Sequence, residues 1–564
     1  MSMKPSAGIE FDGAIISVDQ QHDVEATPSV EELTTLKRVS DRFPLTAWLI
    51  IIGEFCEGFT FYGTLAIMQN YIQFPVSDSE NKQPGALNLG QRTATLMTAL
   101  YFLFCHLTPI VAAIIADQFW GKYKTVVVAS FIYLIGLIVL TLTSIPMSIA
   151  AGAALPGLIV AMILLGIAAG AVKSTTSPFM AEQYTRKMPV IKEINGKRTI
   201  IDPHITIESL YNWFYWAINW GALISMATTT TIERYHSFWL AYLIALIIFP
   251  GFIIVLFIGR RRYFRVPPTG SQLVRAFRVT MAAIRNRWII GKQSNNKSLL
   301  DYAKKVVPSA ESLTITTQSE NQFIDDLKQV IHACRVFAFF PIYWVCYNQV
   351  IGNLISQAAQ MNVGLIPNDI LQLFNPLIIL IFIPIFDKII YPILRRCNIK
   401  FNSIPRITCG FFVVALAMAW TAIVQHLIYS RGPNFNYKTK PCSTCQTFNN
   451  LTVAWQIPSY LLVAISEILA VISGLEYAFT NAPSTMKSIV VSLFHFATAI
   501  GCILNLALVP VSVDPSLLWM YTSLSIVTFI TAIIFYIVCQ KNNTQTLLNC
   551  DLSHRRSSLR VNGF

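Results

Sequence analysis

Twelve stretches of about 20 mostly apolar residues run through the chain, and they limit its fold more than any other feature. They lie at about 45–70, 93–116, 125–145, 155–177, 211–230, 237–258, 329–355, 370–394, 407–428, 455–481, 488–509 and 516–539. In hydrocarbon every backbone polar group must be satisfied inside the segment, so stretches of this length predict membrane-crossing helices. The longest polar insertion, 259–328, divides them six and six. The expected fold class is therefore an all-α membrane protein with 12 transmembrane helices in two six-helix bundles. Its expected organisation is a cytosolic N-terminal tail (1–44), a first bundle (45–258), a cytosolic linker (259–328), a second bundle (329–540) and a cytosolic C-terminal tail (541–564). Two six-span halves are the plan of transporters whose halves rock about a midplane site. No residue-level repeat joins the halves, so this symmetry rests on span count.

Composition agrees. The chain is 54% hydrophobic and 13% charged, against about 25% charged in a soluble domain, which excludes a soluble enzyme. Its net charge of +13 admits a nucleic acid or a membrane as partner, and the placement of the charges decides for the membrane. Of 42 Lys and Arg, 32 fall in segments predicted cytosolic; without the linker the count is 19 inside against 6 outside. By the positive-inside rule both termini are cytosolic. Arg260, Arg261 and Arg262 follow the sixth stretch and suit anionic lipid; no nucleic acid partner is expected. Residues 1–44 hold eight acidic residues and no apolar run, so the first span is expected to serve as an uncleaved signal.

Eleven cysteines do not make a disulfide scaffold in a chain of 564 residues. Cys442 and Cys445 share the predicted external loop between spans nine and ten, where a local disulfide or two free thiols are expected and no metal. The same loop carries the sequon Asn450-Leu451-Thr452, a glycosylation site if external, which favours the plasma membrane.

Ionisable side chains inside spans are functional-site candidates by default, at roughly 2.5–3.5 kcal/mol each. Here they are few: Glu54 and Glu57 in span one, Lys173 in span four, Arg335 at the start of span seven, and Glu467 and Glu476 in span ten. Glu54, Glu57, Gly58, Phe61 and Tyr62 share one helical face. Two carboxylates so close repel, and one is expected to hold a proton unless a cation sits nearby. Lys173 is the candidate cation, late in a span rich in Gly and Ala that permits close packing. A structural ion pair locking spans one and four, or a proton carrier, both fit. Glu476 has no cation in its own span. Facing Lys173 across the midplane, it would complete a two-pole site for a zwitterion, walled by Tyr62, Tyr215, Tyr343, Trp344 and Tyr347.

Several strings resemble the proton-dependent oligopeptide transporter (POT/PTR) family, in its fungal branch. Gly53-Glu54-Phe55-Cys56-Glu57-Gly58-Phe59-Thr60-Phe61-Tyr62-Gly63 is similar to the span-one signature E-x-x-E-R-F-x-Y-Y-G. Thr108-Pro109, Ala116-Asp117 and Gly121-Lys122-Tyr123-Lys124 resemble the end of span two and its loop motif, with Asp117 and Lys122 as gating residues. Lys173, Phe214 to Gly221, Tyr347-Asn348-Gln349 and Gly474-Leu475-Glu476-Tyr477 resemble the signatures of spans four, five, seven and ten. The resemblance implies the major facilitator superfamily fold and symport of di- and tripeptides with protons, without enzymatic activity or cofactor. By position it implies proton coupling through Glu54, Glu57 and Lys173, the peptide carboxylate on Lys173, the amine on Glu476, and Tyr62, Asn219 and Gln349 as further binding residues. The signature's arginine is Gly58 here and its first tyrosine is Phe61. That loss leaves open an uncoupled carrier, a carrier of another small solute, or a non-transporting nutrient sensor.

Overall fold

The computed structural model describes residues 32–561 apart from 77–83, 195–196, 269, 291–298, 305–314, 365, 398–400, 432–448 and 484–485. Cys442 and Cys445 lie outside the described residues. Among the described residues ten helices are long and apolar enough to cross a membrane: Leu45–Gln73, Gly90–Trp120, Lys122–Thr143, Ala154–Glu182, Phe238–Ile258, Ile370–Leu394, Ser403–Ser430, Val453–Ala478, Ile489–Val511 and Leu517–Gln540. They correspond to spans one to four, six, and eight to twelve of the sequence. Span seven is a bent pair, Asn321–Ala338 and Phe340–Ala359, with 42° between its parts.

Span five lies within the helix Pro203–Tyr235 and falls outside that set. Tyr211, Trp213, Tyr215, Trp216, Asn219 and Trp220 lower its hydropathy without breaking the helix. Trp213, Trp216 and Trp220, three and four residues apart, form an exposed edge-to-face ladder with centroids 5.3 and 5.6 Å apart. Aromatic rings of this kind suit a lipid-facing surface near the headgroups. The chain is thus a multi-pass membrane protein of helices.

The buried apolar residues fall mainly into two cores, one on spans one to six and one on spans seven to twelve. Large apolar side chains such as Ile52, Val111, Ile247 and Ile530 stay on the outside of the spans, where lipid replaces water as solvent. Small residues set the closest contacts. The Gly166 carbonyl accepts from the Thr108 hydroxyl at 3.0 Å, and a side chain at Gly170 would run into Thr108 and Pro109. Spans two and four therefore meet along backbone, as small-residue stripes allow.

Three spans carry a π-helical turn: Ala116–Trp120 ends span two, Phe386–Ile390 interrupts span eight, and Ile468–Ile472 interrupts span ten. Each shifts the helical register after it. The final helix runs on from Leu517 to Val561, past the expected boundary at 540.

The described residues of 32–43 and Tyr184–Leu210 form a second compact unit. Within it Val190–Ile194 and Lys197–Ile201 pair antiparallel, and Arg38–Val39 adds a parallel edge. Asp202 pairs with Arg38 at 3.2 Å, and Asp41 accepts from the Tyr184 hydroxyl at 3.0 Å. The sequence signal for this hairpin is Asn195-Gly196 between two β-branched runs, and the span count passes over it.

Candidate functional site

Glu54 and Glu57 lie three residues apart on the helix Leu45–Ala66, so both point toward span four. Each is 2% exposed, and Oε1 of each meets no hydrogen-bond donor. Glu54 lies beside the Thr176 hydroxyl, and the charge of Lys173 acts on both carboxyls. Among the described residues no ion pair within 4.0 Å joins Lys173 to either one. Lys173 Nζ instead sits over the Phe61 ring, 3.1 Å from its centroid, and 5.8 Å from that of Tyr62. A desolvated cation–π contact of this kind contributes about 2 kcal/mol. The expected locked ion pair is therefore absent from these contacts. Two buried carboxyls and a lysine share one small region, each with capacity to spare.

Gly58 does not face that region. A Cβ there would come 2.9 Å from the Ile218 carbonyl oxygen, and one at Gly221 would come 2.5 Å from the Phe55 carbonyl. Gly58 and Gly221 form the crossing point of spans one and five, where the two backbones touch. The residue that reads in sequence as a missing charge is a packing contact.

In span ten the structure does not place Glu476 opposite Lys173. Its side chain is 55% exposed and pairs with Arg406, at the start of span nine, at 3.5 Å. The carboxylate that faces inward is Glu467. It accepts from Asn375 Nδ2 at 3.2 Å, lies within hydrogen-bonding reach of Tyr347 and Tyr215, and its charge acts on Tyr62 and Tyr343. The four tyrosines of the wall expected around Glu476 thus stand by Glu467; Trp344 packs on Tyr343, Tyr347 and Phe494. The two glutamates are nine residues apart, about 13 Å along a helix, so one span cannot hold both at the midplane. Glu467 stands near the middle of Val453–Ala478 and Glu476 near its end. Position along the span is the signal that marks Glu467 from sequence.

The remaining candidates separate. Asn219 is buried and donates to the Tyr215 carbonyl at 2.8 Å, beside the Glu467 group. Gln349 is 1% exposed and fully engaged: Nε2 donates to Val345 O and Asn505 Oδ1, and Oε1 accepts from Asn353. That makes Gln349 part of an internal network, away from the other candidates. Lys122 pairs with Glu182 at the end of span four, and its charge acts on Asp117. Asn450 is exposed on the strand Asn449–Thr452. Two histidines that the sequence reading passes over, His106 of span two and His495 of span eleven, face each other with centroids 5.9 Å apart.

Side-chain hydrogen bonds join the halves at the ends of spans one and seven farthest from Leu45. Gln69 donates to Ser356 at 3.1 Å, Ser356 to Gln73 at 2.6 Å, and Thr95 to Asn353 at 3.1 Å. Asn70 and Asn368 exchange amide bonds at 2.8 and 3.0 Å, and Gln372 donates to the Ala66 carbonyl at 3.1 Å. This far face is closed.

Comparison with known proteins adds the family. A model of the POT family matches residues 123–525. The "Probable peptide transporter ptr2" of Schizosaccharomyces pombe is 42% identical over 91% of this chain and 81% of its own length. "Peptide transporter PTR2" of Saccharomyces cerevisiae is 37% identical over 93% of this chain and 83% of its own. The crystal structure of the POT family transporter PepTSo aligns with a TM-score of 0.69 at 20% identity, over 90% of this chain and 99% of that one. A peptide transporter POT in complex with alafosfalin aligns with a TM-score of 0.63 at 18% identity, over 88% and 95%. The likeness to these structures gives the fold, that of the POT family transporters.

Proposed function

The chain belongs to the POT family, and on that premise we propose that it takes up di- and tripeptides together with protons by alternating access between its halves. The family and the similar proteins are transporters, and the reading needs no enzymatic step. The observation that carries it is a site with two poles in different halves. One pole is Lys173 with Glu54 and Glu57; the other is Glu467 held by Asn375 and tyrosines.

A free peptide is a zwitterion at neutral pH. Its carboxylate fits Lys173, which no ion pair within 4.0 Å occupies among the described residues. Its ammonium fits Glu467, in the role that sequence alone gives to Glu476. Tyr62, Tyr215 and Asn219 stand beside this pole and leave the peptide's side chains room to vary. A proton taken by the Glu54/Glu57 pair releases Lys173 for the carboxylate. Peptide bound to both poles draws the halves together. Opening toward the cytosol lets peptide and proton leave, and the Lys173 charge returns to the carboxyls. One proton crossing 100 mV gains about 2.3 kcal/mol and one pH unit adds about 1.4 kcal/mol. Together they support roughly several-hundred-fold accumulation.

The orientation follows the charge asymmetry, with both termini cytosolic and the closed far face external. The exposed Asn450 is then available for glycosylation at the plasma membrane. Lys122, Glu182 and Asp117 form the cytosolic gate. Because Gly58 is a helix contact, it gives no support to an uncoupled carrier or a sensor. The deciding experiment is uptake of labelled dipeptide in cells without their own peptide carriers, across a pH series, with and without a protonophore. Uptake indifferent to the protonophore refutes proton coupling, and uptake not reduced by unlabelled dipeptides refutes the substrate class.

A further inference from the structure

The far face contains a second acidic pair that the peptide site does not use. Glu233 ends span five in the first half, and Asp369 precedes span eight in the second. They are 3% and 0% exposed, and their carboxyl groups lie within hydrogen-bonding reach of each other. Glu233 Oε1 accepts from Asn70 Nδ2 at 2.9 Å. Glu233 Oε2 and both side-chain oxygens of Asp369 meet no N–H or hydroxyl donor from another residue, and the Asp369 backbone N–H lies close to its own carboxyl. Asn70 is also the residue that exchanges amide bonds with Asn368, so the pair sits inside the seal between the halves.

The surroundings offer little compensation. From span one comes Tyr71, whose hydroxyl is bonded to Ser144; from span six comes Tyr242; from span ten comes Tyr460. The Tyr242 and Tyr460 hydroxyls are themselves buried without partners. Arg234 is the cation whose charge acts on both carboxyls. Two ionised carboxylates in contact and out of water repel strongly, and leaving three oxygens unserved adds a desolvation cost. A single proton between them removes the repulsion and converts two orphaned oxygens into one charge-assisted hydrogen bond.

We propose that Glu233 and Asp369 form a proton-binding latch that closes the far face by sharing one proton across the two halves. Opening that face parts the carboxyls, exposes them to the external solution and releases the proton to the side it came from. This proton is not transported; it sets the balance between the open and closed states. Burial pushes the Asp369 carboxyl up to about 6, against the hydrogen bond with Glu233 and the charge of Arg234. The sign follows. Parted carboxyls in water ionise near pH 4, whereas the joined pair keeps its proton at higher pH. Closure therefore takes up a proton and is favoured as pH falls. It weakens as pH rises, by up to tenfold per unit for one proton.

The test reads conformation, so it stands apart from the transport reading. Dyes carried by unnatural amino acids at Met147 and Ile366, both exposed and beyond the far ends of the spans, report the distance between the halves in the full chain in nanodiscs. Between pH 5 and 8 the logarithm of the closed-to-open ratio should fall with pH. Its slope should be shallower by about one proton in Glu233→Gln and in Asp369→Asn, where an amide donates permanently to the remaining carboxylate. The two variants are near-isosteric, and either suffices if the other does not fold. Unchanged slopes overturn the proposal. So does closure that follows sodium concentration and ignores pH, which would make the pair a cation site.

Discussion

The two halves place their carboxylates in opposite kinds of surroundings. In the first half Glu54 and Glu57 are buried beside each other, and an oxygen of each lacks a donor. In the second half Glu467 is met by Asn375, Tyr347 and Tyr215, all neutral donors. The first pair leaves acceptor capacity unused, whereas the second carboxyl is surrounded by donors. On the function proposed above, this difference separates the proton-exchanging pole from the pole that would hold the peptide's ammonium. Lys173 rests on the Phe61 ring beside the first pair.

Removing that charge should break the comparison most severely. Lys173→Ala is expected to lower proton-driven dipeptide uptake by about 100-fold, near 2.7 kcal/mol, with folding intact by size-exclusion chromatography. Normal proton-driven uptake in this variant removes the first pole. In the second half the two span-ten glutamates should differ. Glu467→Gln is expected to raise the half-saturating peptide concentration by about tenfold, since a buried charged partner is lost. Glu476→Gln, at an exposed ion pair, should shift it by less than about threefold. Equal effects would mean that the amine is not read at Glu467.

Two smaller changes sharpen the account of the first half. Gly58→Ala is expected to lower the melting temperature of the purified protein, because overpacking a tight contact costs about 1–3 kcal/mol. Gly58→Arg should reduce the amount of folded protein without steepening the pH dependence of uptake. A folded Gly58→Arg variant with stronger coupling would restore the missing-charge reading. Phe61→Leu removes a ring contact of about 2 kcal/mol and should weaken peptide affinity several-fold. Phe61→Tyr keeps the ring and should match the parent in the same uptake assay.

Much of the architecture was legible in the chain because lipid imposes a simple rule: any segment that crosses must be helical, apolar and about 20 residues long. All twelve predicted stretches are helical, including span five, whose tyrosines and tryptophans hide it from a hydropathy threshold. The hairpin at Val190–Ile201 was equally legible through Asn195-Gly196, but strand signals are weak beside long apolar helices.

The site was legible in part. Spacing alone puts Glu54 and Glu57 on one face, and their burial follows from lying mid-span. Spacing cannot say which neighbour a side chain meets. Glu476 has no cation in its own span, yet Arg406 reaches it from span nine. Gly58 occupies the place of a motif arginine, yet its environment is the backbone of Ile218.

The sequence by itself determined the membrane class, the helices and the short set of ionisable residues inside the spans. These depend on local composition and on the energy of moving each residue into lipid. Tertiary structure decided which of those residues meet. It put Lys173 on Phe61 rather than in an ion pair, buried Glu467 among Asn375 and tyrosines while Glu476 met Arg406, and brought Glu233 to Asp369. Such contacts are set by helix crossing and by register, which a single π-turn at Ile468–Ile472 shifts for every residue after it.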